Sequence, residues 1–246
     1  MVLNSGKAGS RSRLHLVASR GHKWLALFIG AQLLIWFSSG ALMSFLPIEK
    51  VRGEHLVDRA AVKPLPHAMK VVDSNRLIAS ADGPVEAITY HMLGNRPVAA
   101  LKTTKGTRLF DAETGAAARP VSAEEAAAIA LAAWRSASRP STTVRAVTAE
   151  SPEYRGALPA WRVAFADPDN TAVYVVAGDG RISAVRTGTW RLYDFFWGLH
   201  IMDWKNHENF NTPWLLGFAI GGLVLGIFGT ILLFLRWPGR RRPLQS

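Results

Sequence analysis

The chain has no cysteine in its 246 residues, so disulfides, thiol nucleophiles and thiolate-held metal clusters are excluded. Whatever folds must be held together by packing alone. Acidic residues are also scarce, 18 against 29 Lys and Arg, which leaves a formal net charge of +11. That balance invites a nucleic-acid reading. Yet nine of the basic residues flank two long apolar runs, and no basic run between those runs is interleaved with stacking aromatics. Nucleic acid is therefore not an expected partner, and anionic lipid headgroups are a simpler one. Also missing are a G-x-S-x-G elbow, HExxH, a P-loop and G-x-G-x-x-G, so no hydrolytic or nucleotide-binding signature is present. Asp111, Gly115, Asp179 and Gly180 bring too few carboxylates for a calcium cage and read as turn residues. Glu124 and Glu125 read as helix-start carboxylates favoured by the helix dipole.

What the chain does have is two charge-free runs of 23 residues each, 24–46 and 213–235. At about 1.5 Å per residue each covers roughly 34 Å, enough to cross a hydrocarbon core of about 30 Å with some tilt. Both are predicted transmembrane helices. The first is read as an uncleaved anchor, because Ser44-Phe45-Leu46-Pro47 offers no small-x-small cleavage site. Lys7, Arg11, Arg13, Arg20 and Lys23 precede it, and Arg236, Arg240, Arg241 and Arg242 follow the second. Basic flanks are retained inside, so both termini are expected in the cytoplasm and residues 48–212 outside it. The other 20 basic residues lie between the spans, but long domains translocate largely regardless of charge. Gln32, Ser38, Ser39 and Gly40 in the first span, and Gly217, Gly221, Gly222, Gly226 and Gly229 in the second, suit close packing on each other or on a second copy in a homodimer.

In order, the chain divides into a basic tail (1–23, its first 13 residues disordered), the first span, and a polar connector (47–66) carrying His55. Two repeated units (67–120 and 121–188) come next. A juxtamembrane segment (189–212), the second span and a basic tail (236–246) complete the chain. The first unit starts with a helical pattern over 67–80, with Met69, Val72 and Leu77 on or near one face. The second starts with Ser122-Ala-Glu-Glu125, a capping-box pattern before an Ala-rich helix. Three strand-like runs follow each helix: 85–93, 96–103 and 107–115, then 143–150, 158–167 and 171–183. Arg96-Pro97-Val98-Ala99 echoes Pro159-Ala160-Trp161, and the stretch Leu109–Gly115 echoes Val175–Gly180. The expected class is α+β, two helix-plus-three-strand antiparallel units between two transmembrane helices.

The stretch 189–213 gathers Trp190, Tyr193, Trp197, His200, Trp204 and His207 at steps of three and four, one face of a helix. An interfacial amphipathic helix explains its aromatics. His200, Asp203 and His207 have metal-ligand chemistry, but i to i+7 spans about 10 Å of helix, too far for both histidines to hold one ion.

Three stretches carry a family resemblance. SRGHKWLALFIGAQLLIWFSSGALMSF, with its His-x-Trp start and Ser-Gly, resembles the first helix of PepSY-associated transmembrane proteins. The helix-and-strand units are similar to PepSY repeats, and LYDFFWGLHIMDWKNHENFNTP resembles the segment before the last helix of the small two-helix members. The resemblance implies a bacterial inner-membrane protein with its central domain in the periplasm. It also implies a link to iron, siderophore or haem redox systems through histidines near helix ends, which here match His22 and His200. Haem with two axial imidazoles needs both at one depth. The expected topology puts His22 on the cytoplasmic side and His200 about 30 Å away on the other, so a haem would need the same histidine from two copies. The expected function is a non-enzymatic accessory protein that binds a membrane or periplasmic partner. The alternatives are a haem-binding electron-transfer subunit using His22 and His200, and a regulator of a periplasmic peptidase.

Overall fold

The computed structural model describes residues 6–60 and 63–236, with side chains for 20, 23–60 and 63–230. Its elements are α1 (Gly6–Phe45), α2 (Ile48–Val51), α3 (Ser74–Ala79), β1 (Val85–Leu93), β2 (Arg96–Thr103), β3 (Gly106–Asp111), α4 (Ala123–Ala132), β4 (Thr142–Val147), β5 (Ala160–Phe165), β6 (Ala172–Val176), β7 (Ile182–Arg186), α5 (Gly188–Ile201) and α6 (Pro213–Arg236). They form two bodies, Leu46–Asp194 and Met1–Phe45 with Phe195–Ser246.

In the second of these bodies, Lys23–Phe45 and Pro213–Thr230 are long and apolar enough to cross a membrane. They pack through glycine. A Cβ on Gly221 would meet Ile29 Cδ1 at 2.6 Å and one on Gly222 would meet Leu33 at 3.4 Å, while Phe28 and Phe218 lie ring to ring at 5.1 Å. Small residues thus let the two backbones approach. The expected disordered tail is helical from Gly6 onward. Residues 6–23 contain no proline, and helix already formed in the apolar run extends into them without a new nucleation step. The basic tail beyond Arg236 lies outside the described residues.

The other body holds two antiparallel sheets, β1-β2-β3 and β4-β5-β6-β7. Leu77 of α3 packs with Ala99, Leu101 and Phe110 on one face of the first sheet. The opposite face contributes Val98, Ala100 and Leu109 to the main cluster, which also contains Ala126 and Ala130 of α4 and Val163, Val173 and Val175 of the second sheet. The alanines let strands approach α4 closely, and both halves of its capping box form: Glu125 N–H donates to Ser122 Oγ (3.3 Å) and Ser122 N–H to Glu125 Oε2 (2.9 Å). Burial alone would raise the Glu125 carboxyl; the Ser122 N–H, Arg96 and Arg119 outweigh it and hold it below its ordinary value.

The two halves repeat one hydrogen-bond scheme. Val72 N–H donates to Ala112 O (2.8 Å) before α3, and Val121 N–H to Ala177 O (2.9 Å) before α4. Ala112 and Ala177 N–H donate in turn to Pro97 O and Pro159 O. Gly115 N–H closes a turn on Asp111 O, and Gly180 N–H closes one on Val176 O, both at 2.9 Å and both with φ above +70°. Phe110 then pairs with Ala117 as Val175 pairs with Ile182. In the first half that pairing stays an isolated bridge, because Arg119-Pro120 follows and proline cannot extend a ladder. In the second it grows into β7, so the expected third strand of that half is two strands.

Two further expectations change. Only Ser74–Ala79 of the 67–80 pattern is helical, since Asp73 Oδ1 caps Asn75 N–H (2.9 Å) and Val72 is tied to Ala112. The polar connector is pinned to the fold: Val57 is 1% exposed, Asp58 N–H donates to Ala133 O, and Met92 N–H donates to Lys63 O.

Candidate functional site

Helix α5 starts from Thr187, whose buried hydroxyl accepts the Trp190 N–H at 3.1 Å. Arg186 lies over the Trp190 ring at 4.1 Å. Arg191 Nε donates to Glu153 Oε1 at 2.6 Å, Tyr174 Oη donates to Glu153 Oε2 at 3.0 Å, and the Glu153 carbonyl accepts Arg186 Nε at 2.7 Å. Burial would raise the Glu153 carboxyl, but these hydrogen bonds and the Arg191 and Arg162 charges keep it below its ordinary value. Together they fix the first turns of α5 to the second sheet.

Further along α5 stands His200. Its Nδ1 lies 3.0 Å from Ser39 Oγ of α1, and that hydroxyl donates its hydrogen to Trp36 O at 2.9 Å. A hydroxyl has one hydrogen, so Nδ1–H is the donor to Ser39. The Trp36 ring lies 5.6 Å from the imidazole, and a Cβ on Gly40 would meet His200 Cε1 at 3.3 Å. Ser39 is 1% exposed, so this polar contact is shielded. Gln32 Nε2 and Trp36 Nε1 nearby on α1 are buried without a hydrogen-bond partner among the described residues. The Ser38-Ser39-Gly40 break in the apolar run thus has a specific use: a hydroxyl for His200 and space for its ring.

The stripe does not continue through His207. α5 stops at Ile201, and Met202 takes φ 54°, where the chain turns. Asp203 stops the helix from extending by gathering the next backbone: Lys205 and Asn206 N–H donate to Oδ1, Glu208 and Asn209 N–H to Oδ2, at 2.9 to 3.3 Å. Those donors hold its carboxyl well below the usual carboxylate range. The His207 ring comes back onto Gly198, where a Cβ would collide with it, and Trp197 Nε1 donates to His207 O at 3.0 Å. Gly198 and His200 are two residues apart, on opposite sides of a helix, so α5 separates the two imidazoles. Among the described residues no three His, Asp or Glu side chains gather as metal ligands.

The His22 side chain lies outside what is described, but position 22 is on α1. It lies 17 residues before Ser39, about 25 Å along the helix. His22 and His200 of one chain therefore do not form a pair of axial ligands, and the residues present do not fit a haem within a single copy. Sequence reasoning singled out His200 but missed that Ser39 is its partner; the signal was a hydroxyl and a glycine side by side in an otherwise apolar span. It also missed Asp203 as a loop organiser, for which the Asn206 and Asn209 that follow are the cue.

A family described as the PepSY-associated TM region matches residues 19–244. No curated protein and no solved structure matches the chain.

Proposed function

The chain belongs to the PepSY-associated transmembrane family and is a membrane protein; from that premise we propose that it is a non-enzymatic accessory protein displaying Leu46–Asp194 outside the cytoplasm to a protein partner. The supporting observation is the repeat. The central body uses one helix-and-sheet hydrogen-bond scheme twice, and its tight contacts, from Val72–Ala112 to Val121–Ala177, are packing and turn contacts. Each half is read as one PepSY unit. The basic flanks of the two spans support placing this body outside a bacterial inner membrane, with both termini inside.

In-cell photo-crosslinking tests the reading, with a photoreactive residue placed in turn at exposed positions of the central body such as Lys105, Ser138 and Arg145. The expected result is a discrete crosslinked protein at neighbouring positions only. No crosslink from any position, or uniform faint crosslinking from all, refutes it. The second reading is haem-mediated electron transfer in iron or siderophore handling. It is motivated by His200 standing in the last turn of α5, and it requires a second copy to supply the other imidazole. An absorption spectrum of the purified protein decides it: a Soret band lost in H200A supports haem, and a protein without one refutes intrinsic electron transfer.

A further inference from the structure

The central body also holds a cavity of about 430 Å³. It opens where the β1–β2 turn, α4 and the β6–β7 turn meet. Ligand sites of this size are typically apolar with a few convergent polar groups. Here Leu93 and Ile129 supply apolar surface, and Ala128 and Ala132 leave room one helical turn apart on the exposed side of α4. Lys63 and Arg181, both exposed, add positive charge. Asp179 is the acidic group there, and it is turned to Arg181: Oδ1 accepts the Arg181 N–H at 3.0 Å and Oδ2 lies 3.6 Å from Nε. His91 also lines the cavity. Its Nδ1 is shielded from solvent and has no hydrogen-bond partner among the described residues.

We propose that this cavity binds a small apolar carboxylate. The hydrocarbon part lies against Leu93, Ala128, Ile129 and Ala132, and the carboxylate meets Lys63. Charge complementarity selects the head: with Asp179 answered by Arg181, Lys63 is the cation left for an anion. Volume selects the tail, because small alanines leave the space that a larger helix residue would fill. Lys63 owes its place to the Met92 N–H bond to its carbonyl, which lays the connector along the edge of β1.

The test is saturation-transfer difference NMR on the full chain in zwitterionic nanodiscs, with empty nanodiscs subtracted. The probes are 4-phenylbutyrate, its uncharged amide, and N-acetyl-Leu-Leu as a peptide carboxyl terminus. The proposal expects 4-phenylbutyrate to bind at least tenfold more tightly than the amide. It also expects K63E and A132F each to weaken binding at least tenfold. Position 132 is exposed, so A132F fills the cavity without entering the core, and an unchanged melting temperature verifies the fold. Equal binding of acid and amide, binding insensitive to A132F, or no binding of either carboxylate overturns it. The photo-crosslinking result is independent of this one, so either can fail without the other.

Discussion

Gly180, Gly115 and Gly94 all hold left-handed backbone, with φ of +74°, +72° and +62°, yet the space around them differs. Nothing lies within 4 Å of a Cβ built on Gly94. On Gly115 it would press on Val72 Cγ2 at 3.1 Å, and on Gly180 it would collide with Leu93 and touch Ile129 and Val121. Alanine in left-handed backbone costs roughly 1–2 kcal/mol, which is all that G94A should lose. G180A adds overpacking of about 1 kcal/mol, at the low end because the clashing atom is the tip of Leu93 and that side chain borders an open cavity, for a total of about 2–3 kcal/mol. G115A falls between, since Val72 can yield a few tenths of an ångström. Hydrogen exchange of the β2 and β6 amides in nanodiscs reads each loss locally. Equal losses for G94A and G180A would show that the glycines serve backbone conformation only. They would refute the matched close contacts that join each turn to the start of its helix.

Substitutions at three other places probe separate parts of the structure. E153Q should cost about 2 kcal/mol, near the low end for charged hydrogen bonds because 31% of the side chain is exposed. Because the Glu153 carboxyl is depressed in the fold, its contribution is complete above its ordinary value of 4.5 and fades as pH falls through the folded-state value. Acid unfolding curves of parent and E153Q should therefore converge below that value, and a constant gap at all pH contradicts the assignment. G221L should separate α1 from α6 at Ile29, lowering the yield of an F28C/F218C disulfide, while G217L, with open space around it, should leave the yield unchanged. S39A removes the acceptor for His200 Nδ1–H. Ring nitrogen shifts should report one tautomer in the parent and a mixture in S39A, at a cost of about 1 kcal/mol.

Much of this architecture could be read from the residues, and the exceptions have physical causes. The apolar runs, the Ser122–Glu125 box and most strands are local signals, set by hydrophobic spacing and capping within a few positions. The missed features depend on contacts distant in sequence. β7 exists because Ile182–Arg186 finds β6, whereas the equivalent stretch after Gly115 is stopped by Pro120. Val57 reads as part of a polar connector until Trp134 supplies its bridge. At the candidate site the aromatic face up to His200 follows from helical spacing. The break at Met202 does not, because it comes from one carboxylate collecting four amides downstream. Ser39 and His200 lie 161 residues apart, and nothing local ties them together.

Leu46–Asp194 must face away from the cytoplasm for an extracytoplasmic partner to reach it. The absence of native cysteine makes single introduced thiols unambiguous reporters. K105C and S138C in the central body should react with a membrane-impermeant maleimide in intact spheroplasts, and S5C near the amino terminus only after lysis. Labelling of S5C in intact cells, with K105C and S138C protected until lysis, would reverse the topology and remove the basis for an extracytoplasmic partner.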